Sequence, residues 1–146
     1  MTPLKWFSVA GYVIMVIALV ALIYLGGLFS TSIPVIVIQV LSASLMVWAR
    51  ITFGSRSFHY AANATKGGLV TTGPYRYVRH PIYASIIYFA VAGVAGNWSL
   101  TNALLAGVVC AGAAIRIFCE ERLIVVEYPE YTEYASRTRR VLPFIL

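Results

Sequence analysis

The chain has 146 residues, 60% of them hydrophobic and only 11% charged, with a mean hydropathy of +0.82. Soluble domains carry about 25% charged residues, so this composition excludes a water-soluble fold and indicates an integral membrane protein of one domain, spanning residues 1–146. The net charge of +6 does not indicate nucleic-acid binding, because of where the basic residues fall. Only Lys5 precedes a long uncharged apolar run at 6–28. That run exceeds a signal-peptide core and is followed by no small-residue cleavage site, so it reads as a retained transmembrane helix. A short polar break at 29–32 leads to Pro34, in the first turn of a second helix extending to about residue 51. Gln39 is the one strongly polar residue inside that helix.

From 52 to 80 the character changes to a basic loop, long enough to indicate function. It holds Arg56, His59, Lys66, Arg76 and Arg79, the pair Gly67-Gly68 and the turn signal Thr72-Gly73-Pro74. Pro81 opens a third helix ending near 96. Asn97-Trp98-Ser99 then forms a tight turn, and a fourth helix covers 100–118. The tail, 119–146, contains all five acidic residues and begins as a helical continuation of the fourth span. The expected fold is therefore all-α and integral to the membrane, with four transmembrane helices arranged as two antiparallel hairpins. Lys and Arg occur at the N-terminus, in or beside the loop and after residue 115, and are absent from both tight turns. The positive-inside rule then places both termini and the loop in the cytoplasm of a multi-pass protein of the inner or plasma membrane. The third helix has about fifteen apolar residues, roughly 22 Å at helical rise against a core of about 30 Å, so its loop end is expected below the membrane surface.

Two groups of residues look chemical. In the first, Pro81 starts a helix whose unpaired amides at Ile82 and Tyr83 attract carboxylate or phosphate groups, with His80 and Tyr83 beside them. The plain alternative is a basic loop with interfacial tyrosine anchors. In the second, Arg116 and Glu120 lie four apart and share a helix face. An arginine near the membrane is retained for pairing or function, the alternative being an ion pair at the membrane exit or a snorkelling side chain. Metal chemistry is not expected, because His59 and His80 are too few and Cys110 and Cys119 are badly spaced for ligation. Both cysteines read as reduced packing residues. There is no Asp and no phosphate-cradling glycine motif. Such a site serves a reaction that needs positioning more than proton transfer.

The run LVTTGPYRYVRHPIY at 69–83, with Glu120-Glu121-Arg122-Leu123 and Tyr128-Pro129-Glu130-Tyr131 through Pro143, resembles the isoprenylcysteine carboxyl methyltransferase family. The resemblance covers residues 45–146 and implies a membrane methyltransferase using S-adenosylmethionine. Carried over by motif, Leu69, Val70, Tyr75, His80, Pro81, Ile82, Tyr83 and Glu120 contact the cofactor, and Arg116 holds the substrate. The implied reaction is carboxyl O-methylation of a lipophilic, isoprenylcysteine-like acceptor reached from the surrounding lipid. Methyl transfer to a carboxylate requires no general base, because carboxylates ionise near pH 4. Three other readings stand beside it: phospholipid N-methylation, a non-catalytic membrane binding protein, and an NADPH-dependent reductase sharing the RHPxY motif at 79–83. The C-terminal residues 143–146 contain no prenylatable cysteine and are expected to dock on the bilayer or on the fourth helix.

Overall fold

The computed structural model describes residues 2–54 and 68–142. Their regular structure is helical: α1 (Pro3–Tyr24), α2 (Ile33–Phe53), α3 (Pro81–Gly96), α4 (Leu100–Glu127) and α5 (Tyr131–Arg137). A 3₁₀ turn (Gly73–Arg76) precedes α3, and one isolated parallel bridge joins Val78 to Arg139. The expectations for Arg56, His59, Lys66, Gly67 and the 143–146 end lie outside the described residues.

The helix starts follow local chemistry. Proline occupies the first turn of α1, α2 and α3, where its missing N–H costs nothing and its fixed φ fits the helix. Ser99 caps α4 by accepting the amide of Asn102 at 3.0 Å. At the other end of α1, the helix stops four residues short of the expected boundary. Gly26 takes φ +68, its amide bonds Ile23 O, and the Gly27 amide bonds Leu22 O. That is a Schellman termination, and glycine enters the left-handed region without strain. Helix α4 runs unbroken through Arg116, Glu120 and Glu121 to Glu127, as the continuation past the apolar segment required.

Helices α1, α2 and α4 are long and apolar enough to cross a membrane. Helix α3, with 16 residues, spans roughly 24 Å at helical rise. The packing differs from two sequential hairpins. The most extensive interfaces are α1 against α4 and α2 against α3, and α3 also packs on α4. Small residues explain the first interface: a Cβ on Gly11 would lie 2.8 Å from Ile115 Cγ2, and one on Gly112 would lie 2.7 Å from Gly11 O. In lipid, helix association rests on such close backbone approach rather than on hydrophobic exclusion. The core joins Met15, Ala18 and Leu22 of α1 to Val109, Ala113 and Ile117 of α4 and to Tyr83, Ala90 and Val94 of α3.

The end of the bundle without basic residues is fastened by amide side chains. Gln39 of α2 donates to Leu28 O at 2.7 Å and to Phe89 O at 3.3 Å. Asn97 donates to Phe29 O at 2.7 Å, and Asn102 donates to Asn97 O at 2.8 Å. The bonds to Leu28, Phe29 and Asn97 satisfy carbonyls beyond the helix ends that no helix ladder serves. Gly93 makes the close approach possible, since a Cβ there would lie 2.0 Å from Leu28 O. Gly93→Ala is expected to cost about 1–3 kcal/mol by overpacking against backbone. Gly107→Ala, where nothing lies within 4 Å, is expected to be neutral or slightly stabilising. Thermal unfolding of the two variants in detergent compares them directly.

Candidate functional site

The segment leading into α3 is held by the C-terminal tail. The amides of Arg79 and His80 donate to the carbonyls of Arg139 and Arg140 at 2.6 and 2.9 Å. The Arg79 guanidinium donates to Glu121 Oε1 at 3.1 Å and to the carbonyls of Ala135 and Thr138. Glu121 also accepts from Tyr131 at 3.2 Å and from Arg140 at 2.9 Å, and lies 3.3 Å from His80 Nε2. One carboxylate on α4 thus gathers the α3 start, α5 and the tail. The Tyr134 hydroxyl donates to Tyr75 O at 2.6 Å, and the Gly68 amide donates to the Tyr128 hydroxyl at 3.3 Å.

One residue back on α4, Glu120 faces a different set of partners. Its Oε1 accepts from Arg116 Nη2 at 3.0 Å and, in a very short bond, from the Tyr83 hydroxyl. Its Oε2 lies 3.8 Å from His80 Nδ1. Arg116 is buried, with 4% of its surface exposed. Its Nε donates to the Tyr83 hydroxyl at 2.9 Å and its Nη1 to Ser8 Oγ at 2.9 Å. The rings of Tyr12 and Tyr83 lie 5.6 and 5.9 Å from its guanidinium carbon, within cation–π range. A bare cation here would be costly, and the burial is tolerable because the guanidinium is both paired and hydrogen-bonded.

These residues surround a cleft of about 190 Å³. Leu69, Val70, Tyr75, His80, Pro81, Ile82, Tyr83, Arg116 and Glu120 all line it, so the nine residues expected at the site meet in one place. Two expectations change in detail. The α3 N-terminus, read as an anion site, already has the protein's own carboxylates against its cap and first-turn side chains, Glu120 at Tyr83 and His80 and Glu121 at His80. The fork of Arg116, read as a substrate grip, is engaged with Ser8, Tyr83 and Glu120.

No site role follows from the sequence for Tyr12 and Met15 of α1, Arg50 and Phe53 of α2, the motif tyrosines Tyr128 and Tyr131, or Tyr134, all of which line the cleft. A weak signal existed for the tail tyrosines, whose polar tips and apolar rings suit a half-buried wall. Burial pushes Tyr134 up to about 12. It also raises Tyr75, helped by Tyr134 and Glu120, and Tyr131, helped by Glu121. These phenols therefore remain hydrogen-bond donors at neutral pH. Because Glu121 gathers the tail, Glu121→Ala is expected to release it, at a cost on the order of 2–3 kcal/mol. Limited proteolysis should then cut after α4 faster than in wild type. Glu133→Ala removes only an exposed pair with Arg137 and should leave the cleavage rate unchanged.

Among known proteins, the chain is 32% identical over 89 residues to the cobalt-zinc-cadmium resistance protein CzcN of Cupriavidus metallidurans, covering 58% of this chain and 39% of that protein. It is also 32% identical over 89 residues to the nickel-cobalt-cadmium resistance protein NccN of Alcaligenes xylosoxydans xylosoxydans, covering 58% of this chain and 40% of that one. The chain thus spans about two fifths of the length of these curated relatives. No solved structure matches it. The model of the isoprenylcysteine carboxyl methyltransferase (ICMT) family matches residues 32–126, the stretch that carries α2, α3 and α4 with the Arg116–Glu120 pair, and the chain belongs to that family.

Proposed function

We propose that this protein is an integral membrane methyltransferase that uses S-adenosylmethionine to methylate a carboxylate on a lipophilic, isoprenylcysteine-like acceptor. The observation that carries the reading is the convergence of the nine motif residues on one cleft lined by both charged and aromatic side chains. Family membership supports the methyltransferase class. We further propose four spans with both termini cytoplasmic, following the placement of Lys and Arg, which puts the cleft at the cytoplasmic face.

The chemistry of the lining fits the cofactor. Glu120 supplies a carboxylate for a cationic amine, while Tyr75, Tyr83, Tyr128 and Tyr134 supply aromatic faces suited to a cationic sulfonium. Leu69, Val70 and Ile82 supply an apolar wall. Bound there, S-adenosylmethionine would provide the electrophilic methyl group. The residues' work is then alignment and exclusion of water. No residue need remove a proton, because the acceptor carboxylate is ionised at neutral pH. Arg116 meets that carboxylate by exchanging a present partner on its fork, Glu120 or Tyr83, for the acceptor. The acceptor's lipid portion follows the apolar side of the cleft, where Met15 of α1 and Ile86 of α3 stand.

Calorimetric titration of the detergent-purified protein with S-adenosylmethionine, and separately with NADPH, tests the cofactor. Saturable binding of S-adenosylmethionine alone is expected. Glu120→Gln should weaken it about 10- to 100-fold, the worth of one charge-assisted hydrogen bond. Binding of NADPH alone would replace this reading with a reductase. Methyl transfer to prenylated cysteines and other amphipathic carboxylates, with phosphatidylethanolamine as the amine control, tests the acceptor. Arg116→Lys should reduce transfer to a carboxylate about 100-fold, because lysine lacks the bidentate fork. Transfer to the amine alone would sink the O-methylation assignment.

A further inference from the structure

The site draws on a helix outside the stretch that matches the family. The matched residues begin at 32, yet α1 (Pro3–Tyr24) packs extensively on α4 and brings Ser8 to the Arg116 guanidinium. Ser8 is fully buried, at 0% exposure, and its Oγ accepts from Arg116 Nη1 at 2.9 Å. Tyr12, one turn further along α1, places its ring 5.6 Å from the same guanidinium carbon and also lines the cleft. The approach is steric as well as polar. Gly11, between them, lies so close to α4 that a Cβ there would meet Ile115 at 2.8 Å.

The four groups form a chain across three helices. Ser8 holds one end of the guanidinium, Tyr83 of α3 accepts from its Nε, and Glu120 accepts from its Nη2. Tyr83 closes the ring by donating to Glu120. Loss of the Ser8 oxygen removes one acceptor from a buried guanidinium and weakens the constraint on its orientation. We propose that Ser8 is a positioning residue of this site: its hydroxyl oxygen fixes the Arg116 fork, so that Glu120 and Tyr83 keep the geometry the cleft requires. The consequence for methyl transfer rests on the function proposed above, but the positioning itself does not.

The test uses the full chain in lipid nanodiscs with ¹⁵N-labelled arginine. Wild type should show a slowly exchanging guanidinium whose resonances vanish in Arg116→Lys, distinct from that of Arg79, which is also hydrogen-bonded and little exposed. Ser8→Ala and Ser8→Cys should both speed that exchange, by about tenfold for loss of one charged hydrogen bond. They should weaken S-adenosylmethionine binding in parallel. In a double-mutant cycle with Arg116→Lys, the effects of Ser8→Ala on that affinity should be less than additive. Cysteine replaces the hydroxyl with a somewhat larger thiol that is a poor acceptor, so a Ser8→Cys protein behaving as wild type would overturn the proposal. Unchanged Arg116 exchange in both Ser8 variants, or the absence in wild type of a protected guanidinium that Arg116→Lys removes, would overturn it as well. Exchange that responds to Ser8 in a folded protein that binds no S-adenosylmethionine would uphold the positioning role and defeat the methyltransferase reading.

Discussion

The buried guanidinium of Arg116 is the constraint around which the site is organised. A cation inside an apolar bundle is costly unless it is paired and hydrogen-bonded. Among the described residues, three helices supply it with partners: Ser8 of α1, Tyr83 of α3 and Glu120 of α4 itself. The requirement to satisfy one side chain therefore couples the placement of helices that are far apart in sequence. It also accounts for the glycines at the α1–α4 crossing. A bulkier contact would hold Ser8 out of reach of the guanidinium.

The consecutive carboxylates Glu120 and Glu121 divide the work because successive helical residues point about 100° apart. Glu120 turns toward the cleft and the Arg116–Tyr83 pair. Glu121 turns toward Arg79, Tyr131 and Arg140 and holds the tail against the segment that leads into α3. His80 stands between them, one ring nitrogen toward each carboxylate. A disturbance of the tail is thereby transmitted to the wall of the cleft through residues in direct contact. The backbone bonds from Arg79 and His80 to Arg139 and Arg140 strengthen that link, since they fix the peptide units immediately before α3.

The matched stretch, 32–126, contains the charged heart of the site but not all of its walls. Tyr12 and Met15 come from α1, and Tyr131 and Tyr134 from α5. Elements at the two ends of the chain thus close a cleft whose floor lies in α3 and α4. On the function proposed above, variation in such flanking walls would tune which acceptor the charged site takes, because pocket shape and apolar contact set discrimination among ligands.

Much of this was legible in the sequence. The apolar runs and the prolines at 34 and 81 marked the helices, and α3 begins and ends where the residues indicated. The motif residues at 69–83 and the pair Arg116 and Glu120 were recognisable because each group is local: its members lie within one segment or one helical turn. What the sequence could not show was of two kinds. The end of α1 depended on Gly26 adopting a left-handed turn rather than continuing an apolar run, a choice settled by the Gln39 and Asn97 bonds waiting for the carbonyls of Leu28 and Phe29. The pairing of α1 with α4, and so the presence of Ser8 beside Arg116, depended on a contact spanning more than a hundred residues. A single serine in a uniformly apolar helix carries no periodic signal of its partner. Composition and spacing determined which segments enter the membrane and which residues carry the charge. Only the tertiary structure decided which helices touch, because in lipid that choice rests on close packing of small residues and on satisfying one buried cation.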